Sequence, residues 1–126
     1  MKLLLDSHVL IWWSIGSPRL GARSRDMIMA HDAELFVSAA TLWELAIKRA
    51  IGRLDFDFVA TRKALGKREV VILPVTLDHA EAAAALPNPH NDPFDRMLIA
   101  QSLVENLVLL TRDKGLARYG STVLAF

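Results

Sequence analysis

The chain has 126 residues, 52% of them hydrophobic, no cysteine, and a formal net charge of +1 from 15 basic and 14 acidic residues. That length is enough to close one core without staples, and the missing cysteines exclude disulfides, thiolate catalysis and zinc-thiolate sites. No apolar run approaches the ~18 residues of a membrane span. Asp6 and His8 interrupt the leader-like start Met1-Lys2-Leu3-Leu4-Leu5, so a cytoplasmic protein with a single domain over 1–126 is expected.

In chain order, residues 2–5 read as a short buried strand and Ser7–Ile15 as a helix broken by Gly16-Ser17-Pro18. Residues 21–31 read as helical, and Leu35-Phe36-Val37 as a second strand. A helix from Ser38 to Ala50 is ended by Gly52, and a shorter one from Asp57 to Leu65 by Gly66. Glu69–Val75 reads as a third strand, which Pro74 pushes toward a sheet edge or a strand end. Thr76–Leu86 is an Ala-rich helix, and residues 87–93 form the longest irregular stretch. Pro93–Glu105 is the best-formed helix, with Asp92 as N-cap and Pro93 at its first position. Leu107–Leu110 is a fourth strand and Thr122–Leu124 a possible fifth. Continuous apolar strands alternating with helices point to an α/β protein with a parallel sheet covered on both faces.

In such sheets ligands bind beyond the carboxyl ends of the strands. Asp6 and Asp113 fall there, while Glu44 and Asp95 fall in the first turns of amphipathic helices. Each acid has a local explanation. Asp6 can cap the helix at Ser7, and Asp113 a short helix over 114–118. Glu44 can complete a capping box with Thr41 and pair with Lys48 at i,i+4. Asp92 is an N-cap, and a first-turn acid such as Asp95 suits the helix dipole. Their joint placement at one rim is not explained in this way. Asp95 shares a helical face with Ile99 and Leu103, which aims it coreward.

Clustered carboxylates raise one another's pKa values, and a hard divalent cation, usually Mg²⁺, relieves the conflict. Setting aside Asp6, Glu44, Asp92, Asp95 and Asp113 leaves nine acids against 15 bases, so a basic surface surrounds an acidic centre, as suits a polyanion. The four histidines have no metal-ligand spacing, and His90 draws interest only through its place ahead of Asp92. Adjacent Trp12 and Trp13 cannot both face one core, so one either projects toward a partner or both lie loosely buried.

Four blocks of the sequence, Leu3–His8, Ser38–Glu44, His90–Gln101 and Leu110–Asp113, resemble the PIN-domain ribonucleases, and more closely the VapC toxins of type II toxin–antitoxin systems. The resemblance spans essentially the whole chain, and the third block, His90–Gln101, is its most specific part. It implies a three-layer α/β/α fold with a four- or five-stranded parallel sheet. It also implies an endoribonuclease dependent on Mg²⁺ or Mn²⁺, with Asp6, Glu44, Asp95 and Asp113 as the acidic quartet and Thr111 as a polar helper. Asp92 matches a common acid of the subfamily, and either it or Asp95 would touch metal directly. A homodimer silenced by a VapB antitoxin, which would supply any operator binding, is implied as well.

On this reading an Mg²⁺-activated water attacks the phosphorus of an RNA phosphodiester, and Arg96, Arg112 and Lys114 are candidates for holding the RNA backbone. Two rivals stand beside it. A metal-dependent phosphatase or phospho-receiver domain also places an Asp after the first strand, but His8 occupies the position where aspartyl-phosphate hydrolases need a second acid. A non-catalytic interaction module would use Trp12, Trp13 and the apolar surplus as its face.

Overall fold

The computed structural model describes residues 1–87 and 92–126, so the expectations for His90 and its immediate neighbours lie outside the described residues. Five short strands, β1 (Lys2–Leu5), β2 (Glu34–Ser38), β3 (Val71–Leu73), β4 (Val108–Thr111) and β5 (Val123–Ala125), pair in the order β3-β2-β1-β4-β5. Every neighbouring pair is parallel. Among the described residues six α-helices connect them: α1 (Ser7–Ser14), α2 (Ala22–Met29), α3 (Ala39–Ala50), α4 (Phe58–Lys67), α5 (Leu77–Ala85) and α6 (Pro93–Val104).

The unbroken Leu3-Leu4-Leu5 run has its reason in the layering. Successive strand side chains point to opposite faces. Leu3 and Leu5 pack with Val9 and Leu10 of α1, Ile28 of α2, Leu45 of α3 and Leu65 of α4. Leu4 packs instead with Leu98 and Ile99 of α6. All three leucines are fully buried, so a central strand sandwiched by helices has no polar face to write into its sequence. The chain moves outward from β1 through β2 to β3, then crosses back over the other face through α5 and α6 to reach β4. Its direction along the sheet therefore reverses between β1 and β4, the place where sheets of this kind bind ligands.

Boundaries differ from the sequence reading where tertiary contacts overrule local signals. Gly66 does not end α4, which runs one residue further to Lys67. The turn is made by Glu69 at φ 52°, with the Val70 and Glu69 amides returning to the Leu65 and Gly66 carbonyls at 2.9 and 3.1 Å. This is a Schellman closure built without glycine. β3 is only three residues long and stops before Pro74, at the sheet edge where a proline was expected to confine it. α3 starts at Ala39 with the Ser38 hydroxyl accepting from the Ala40 amide at 3.0 Å. Glu44 consequently sits in the second turn rather than the first, and the Thr41–Glu44 capping box does not form.

Leu103 is exposed while Ile99 is buried, so the face carrying Asp95 faces the core for one turn only. Trp12 and Trp13 are both half-buried against the α1-side core, which settles the alternative in favour of two loosely buried rings. Among the described residues no helix is long and apolar enough to cross a membrane.

Candidate active site

The rim begins with Asp6. The residue ends β1 and caps α1, its Oδ1 accepting from the Val9 amide at 2.9 Å. Its Oδ2 accepts from the Thr111 hydroxyl at the end of β4. Thr111 Oγ1 in turn accepts from the Asp113 amide at 3.0 Å. A relay of backbone, hydroxyl and carboxylate therefore straddles the gap between β1 and β4 where the chain reverses. Asp6 and Thr111 are both buried, at 6% and 0% exposure. Burial pushes the Asp6 carboxyl above its ordinary range. The Thr111 and Val9 donors and nearby His8 work against that shift, and the neighbouring Glu44 carboxylate adds to it.

Glu44 is likewise buried, on α3 where that helix leaves β2. Its Oε2 meets the Lys48 ammonium at 3.0 Å, the i,i+4 pair that the sequence spacing suggested. Asp92 is exposed and caps α6, one oxygen accepting from the Phe94 and Asp95 amides at 2.9 and 3.1 Å. Asp95 is half-buried in the first turn of that helix. Asp113 is exposed and caps the 3-10 turn Lys114–Tyr119 through the Gly115 amide at 2.9 Å. Asp6 and Glu44 are thus the buried, electrostatically coupled members of the quartet. Among the described residues no three His, Cys, Asp or Glu side chains already form a metal cage.

The basic candidates divide. Arg96 spends donors on three carbonyls at the end of α5, those of Ala83, Leu86 and Pro87, at 2.8, 2.9 and 2.9 Å. It ties α5 to α6, a cation on a helix C-terminus, which is work other than gripping a substrate backbone. Arg112 lies over the rings of Trp12 and Phe126, 5.8 and 5.2 Å from their centroids. Lys114 is exposed in the turn after Asp113. His79, as expected of a structural histidine, is buried and accepts the Thr76 amide through Nδ1 at 3.0 Å, capping α5.

One feature went unread in the sequence. Trp43 and Phe94 meet edge to face at 5.8 Å and, with Ala39, Ala40, Val75, Pro93 and Met97, line an apolar hollow of about 530 Å³ between α3 and α6. Trp43 is 64% exposed. The available signal was that each ring immediately precedes an acid of the quartet.

An α/β sheet with buried carboxylates at its switch point is the frame of an acid-dependent hydrolase. The sequence matches the PIN domain family over residues 3–121. It is 32% identical over 117 residues to Ribonuclease VapC22 of Mycobacterium tuberculosis, covering 90% of this chain and 88% of that protein. The fold is similar to VapBC2 from Rickettsia felis bound to a promoter DNA fragment (TM-score 0.75, 13% identity, 100% and 98% of the two chains). It is also similar to a toxin–antitoxin complex from Klebsiella pneumoniae (TM-score 0.67, 19% identity, 98% and 96%). VapBC-1 from nontypeable Haemophilus influenzae is a further structural relative (TM-score 0.65, 22% identity, 94% and 92%). The chain belongs to the PIN-domain family and, within it, to the VapC ribonucleases.

Proposed function

We propose that this VapC-type ribonuclease cuts RNA internally, at phosphodiester bonds, with Mg²⁺ or Mn²⁺ held by Asp6, Glu44, Asp95 and Asp113, and that Thr111 is the residue that aims Asp6. The observation that carries the reading is the buried Asp6–Thr111 contact at the β1/β4 reversal, with a second buried carboxylate, Glu44, close enough to disfavour its charge. Two carboxylates held this way suit a hard cation, because their oxygens are the ligands it prefers and its charge removes their repulsion. Mg²⁺ keeps several waters and is satisfied by one or two carboxylates, so acids on separate elements need not converge in advance.

When bound, the cation supplies Lewis-acid stabilisation of charge developing on phosphoryl oxygens. The chain's own part is positional. Val9 and Thr111 fix both oxygens of Asp6, Ser38 starts α3 where Glu44 is brought beneath the rim, and Arg96 fixes α6 to α5 so that Asp95 is held at the rim. Asp92 gives one oxygen to the cap of α6 and leaves the other for metal or solvent.

The partners belong to the same proposal: RNA as substrate, a VapB-type antitoxin as inhibitor, and a second copy of the chain. The antitoxin is supported by the likeness of fold to toxins in toxin–antitoxin complexes. The test is cleavage of a structured RNA by the purified protein in Mg²⁺ and in EDTA, beside Asp6→Asn and Asp95→Asn. Parental rates in both variants would refute the site assignment.

A further inference from the structure

Lys48 has a role that the quartet alone does not give it. Its ammonium stands 3.0 Å from Glu44 Oε2. The two ends of the pair differ sharply: the Glu44 side chain is 9% exposed and that of Lys48 is 39% exposed. A carboxylate nearly sealed from water, with the buried carboxyl of Asp6 nearby, needs a positive partner in the fold. Lys48 supplies it from a flexible, partly exposed side chain. The fixed partner is thus the acid and the removable one is the base.

We propose that Lys48 is the resident counter-cation of Glu44, occupying the carboxylate in the metal-free protein and giving it up when a divalent cation binds, so that it sets how much metal the enzyme needs. This rests on the proposal that Glu44 is a metal ligand. The physical consequence has a definite sign. Binding a cation at Glu44 breaks or weakens the ammonium contact and places two positive centres close together, and both effects reduce metal affinity. Removing the ammonium while keeping the stem's bulk therefore tightens metal binding and weakens the metal-free fold. A bystander cation does only part of this, since it contributes long-range repulsion but no contact to be broken.

Arg49, the next residue on α3, provides that comparison: its guanidinium lies over the Phe58 ring at 5.4 Å rather than on the acid.

The experiment measures Mn²⁺ binding by calorimetry, and melting in EDTA, for the parent, Lys48→Met, Lys48→Arg, Arg49→Met and Asp6→Asn. Lys48→Met is expected to bind Mn²⁺ about three- to tenfold more tightly than the parent, the range for losing a partly buried ion pair plus its charge. It should also melt earlier in EDTA, and Lys48→Arg should restore most of both properties. Arg49→Met should shift the affinity by less than about twofold. Equal affinities for Lys48→Met and Arg49→Met, or an affinity in Lys48→Met no tighter than the parent's, overturn the proposal. Failure of the underlying site reading looks different: the parent then binds no Mn²⁺, or Asp6→Asn binds it as well as the parent does.

Discussion

The two flanks of the rim are built on opposite plans. On the β1/β4 flank, Asp6 is buried, both of its oxygens accept hydrogen bonds from the fold, and Thr111 links it to the Asp113 backbone. On the α6 flank, Asp92 is exposed and Asp95 half-buried, and they owe their place to a helix start that Arg96 ties to α5. The first flank is fixed by strand pairing, where a shift would cost ladder hydrogen bonds. The second is fixed by a helix terminus, where much less is at stake. The difference teaches how one rim can combine a pre-formed acid with an adaptable one; under the proposed metal-binding role the first would set the ion's position and the second would complete its shell.

The sharpest way to break this comparison is Asp6→Asn. Cleavage should fall by more than about a hundredfold, beyond the loss typical of outer partners to a metal ligand, as read by initial rates on a structured RNA. Stability should move the other way. Because the folded carboxyl titrates above its ordinary value of 3.8, charging it costs the metal-free fold. That cost is absent below the ordinary carboxylate range and grows as pH rises through it toward the raised value. In EDTA, the melting temperature of Asp6→Asn relative to the parent should therefore increase from about pH 4 upward, while asparagine keeps the α1 cap. A pH-independent difference would count against burial as the cause.

Thr111→Val comes next. It strips Asp6 of one donor and leaves the Asp113 amide without its acceptor, so cleavage should drop about 10- to 100-fold and stability by about 1–3 kcal/mol in chemical denaturation. On the adaptable flank, Asp92→Asn should keep the cap and stay within severalfold of parental cleavage, whereas Asp92→Ala should lose about 1 kcal/mol of stability. A collapse of activity in Asp92→Asn would move that residue from cap to metal ligand. The smallest effect is expected far from both flanks. Glu69→Gly relieves a left-handed backbone and should stabilise by up to about 1 kcal/mol with cleavage unchanged.

Much of this was legible in the residues, for a physical reason. A central strand buried on both faces must be continuously apolar, so Leu3-Leu4-Leu5 and Val108-Leu109-Leu110 could be read, and the acids after them fell at the rim by geometry alone. Asp92-Pro93 announced the start of α6 because capping is local chemistry. Glu44 was placed a turn too early, since Ser38 and Thr41 are both plausible caps and only the end of β2 chooses between them. The continuation of α4 past Gly66 was illegible for a similar reason, because glycine permits a helix end without compelling one. The contacts of Arg96 were illegible, since a side chain that reaches nine to thirteen residues back along the chain leaves no periodic trace. The hollow between Trp43 and Phe94 depends on α3 meeting α6, a contact that no local pattern encodes.

The hydrogen bond between Asp6 and Thr111 joins residues 105 positions apart. Synthesis runs from the N-terminus at roughly 5–20 residues per second, so a nascent chain displays Asp6 and Glu44 for several seconds before β4 exists to dock beside β1. During that interval the two acids have no Thr111, no Asp113 and no closed sheet to hold them in register. The edge that joins Asp6 to Thr111 is therefore complete only once β4 has been made and has docked beside β1.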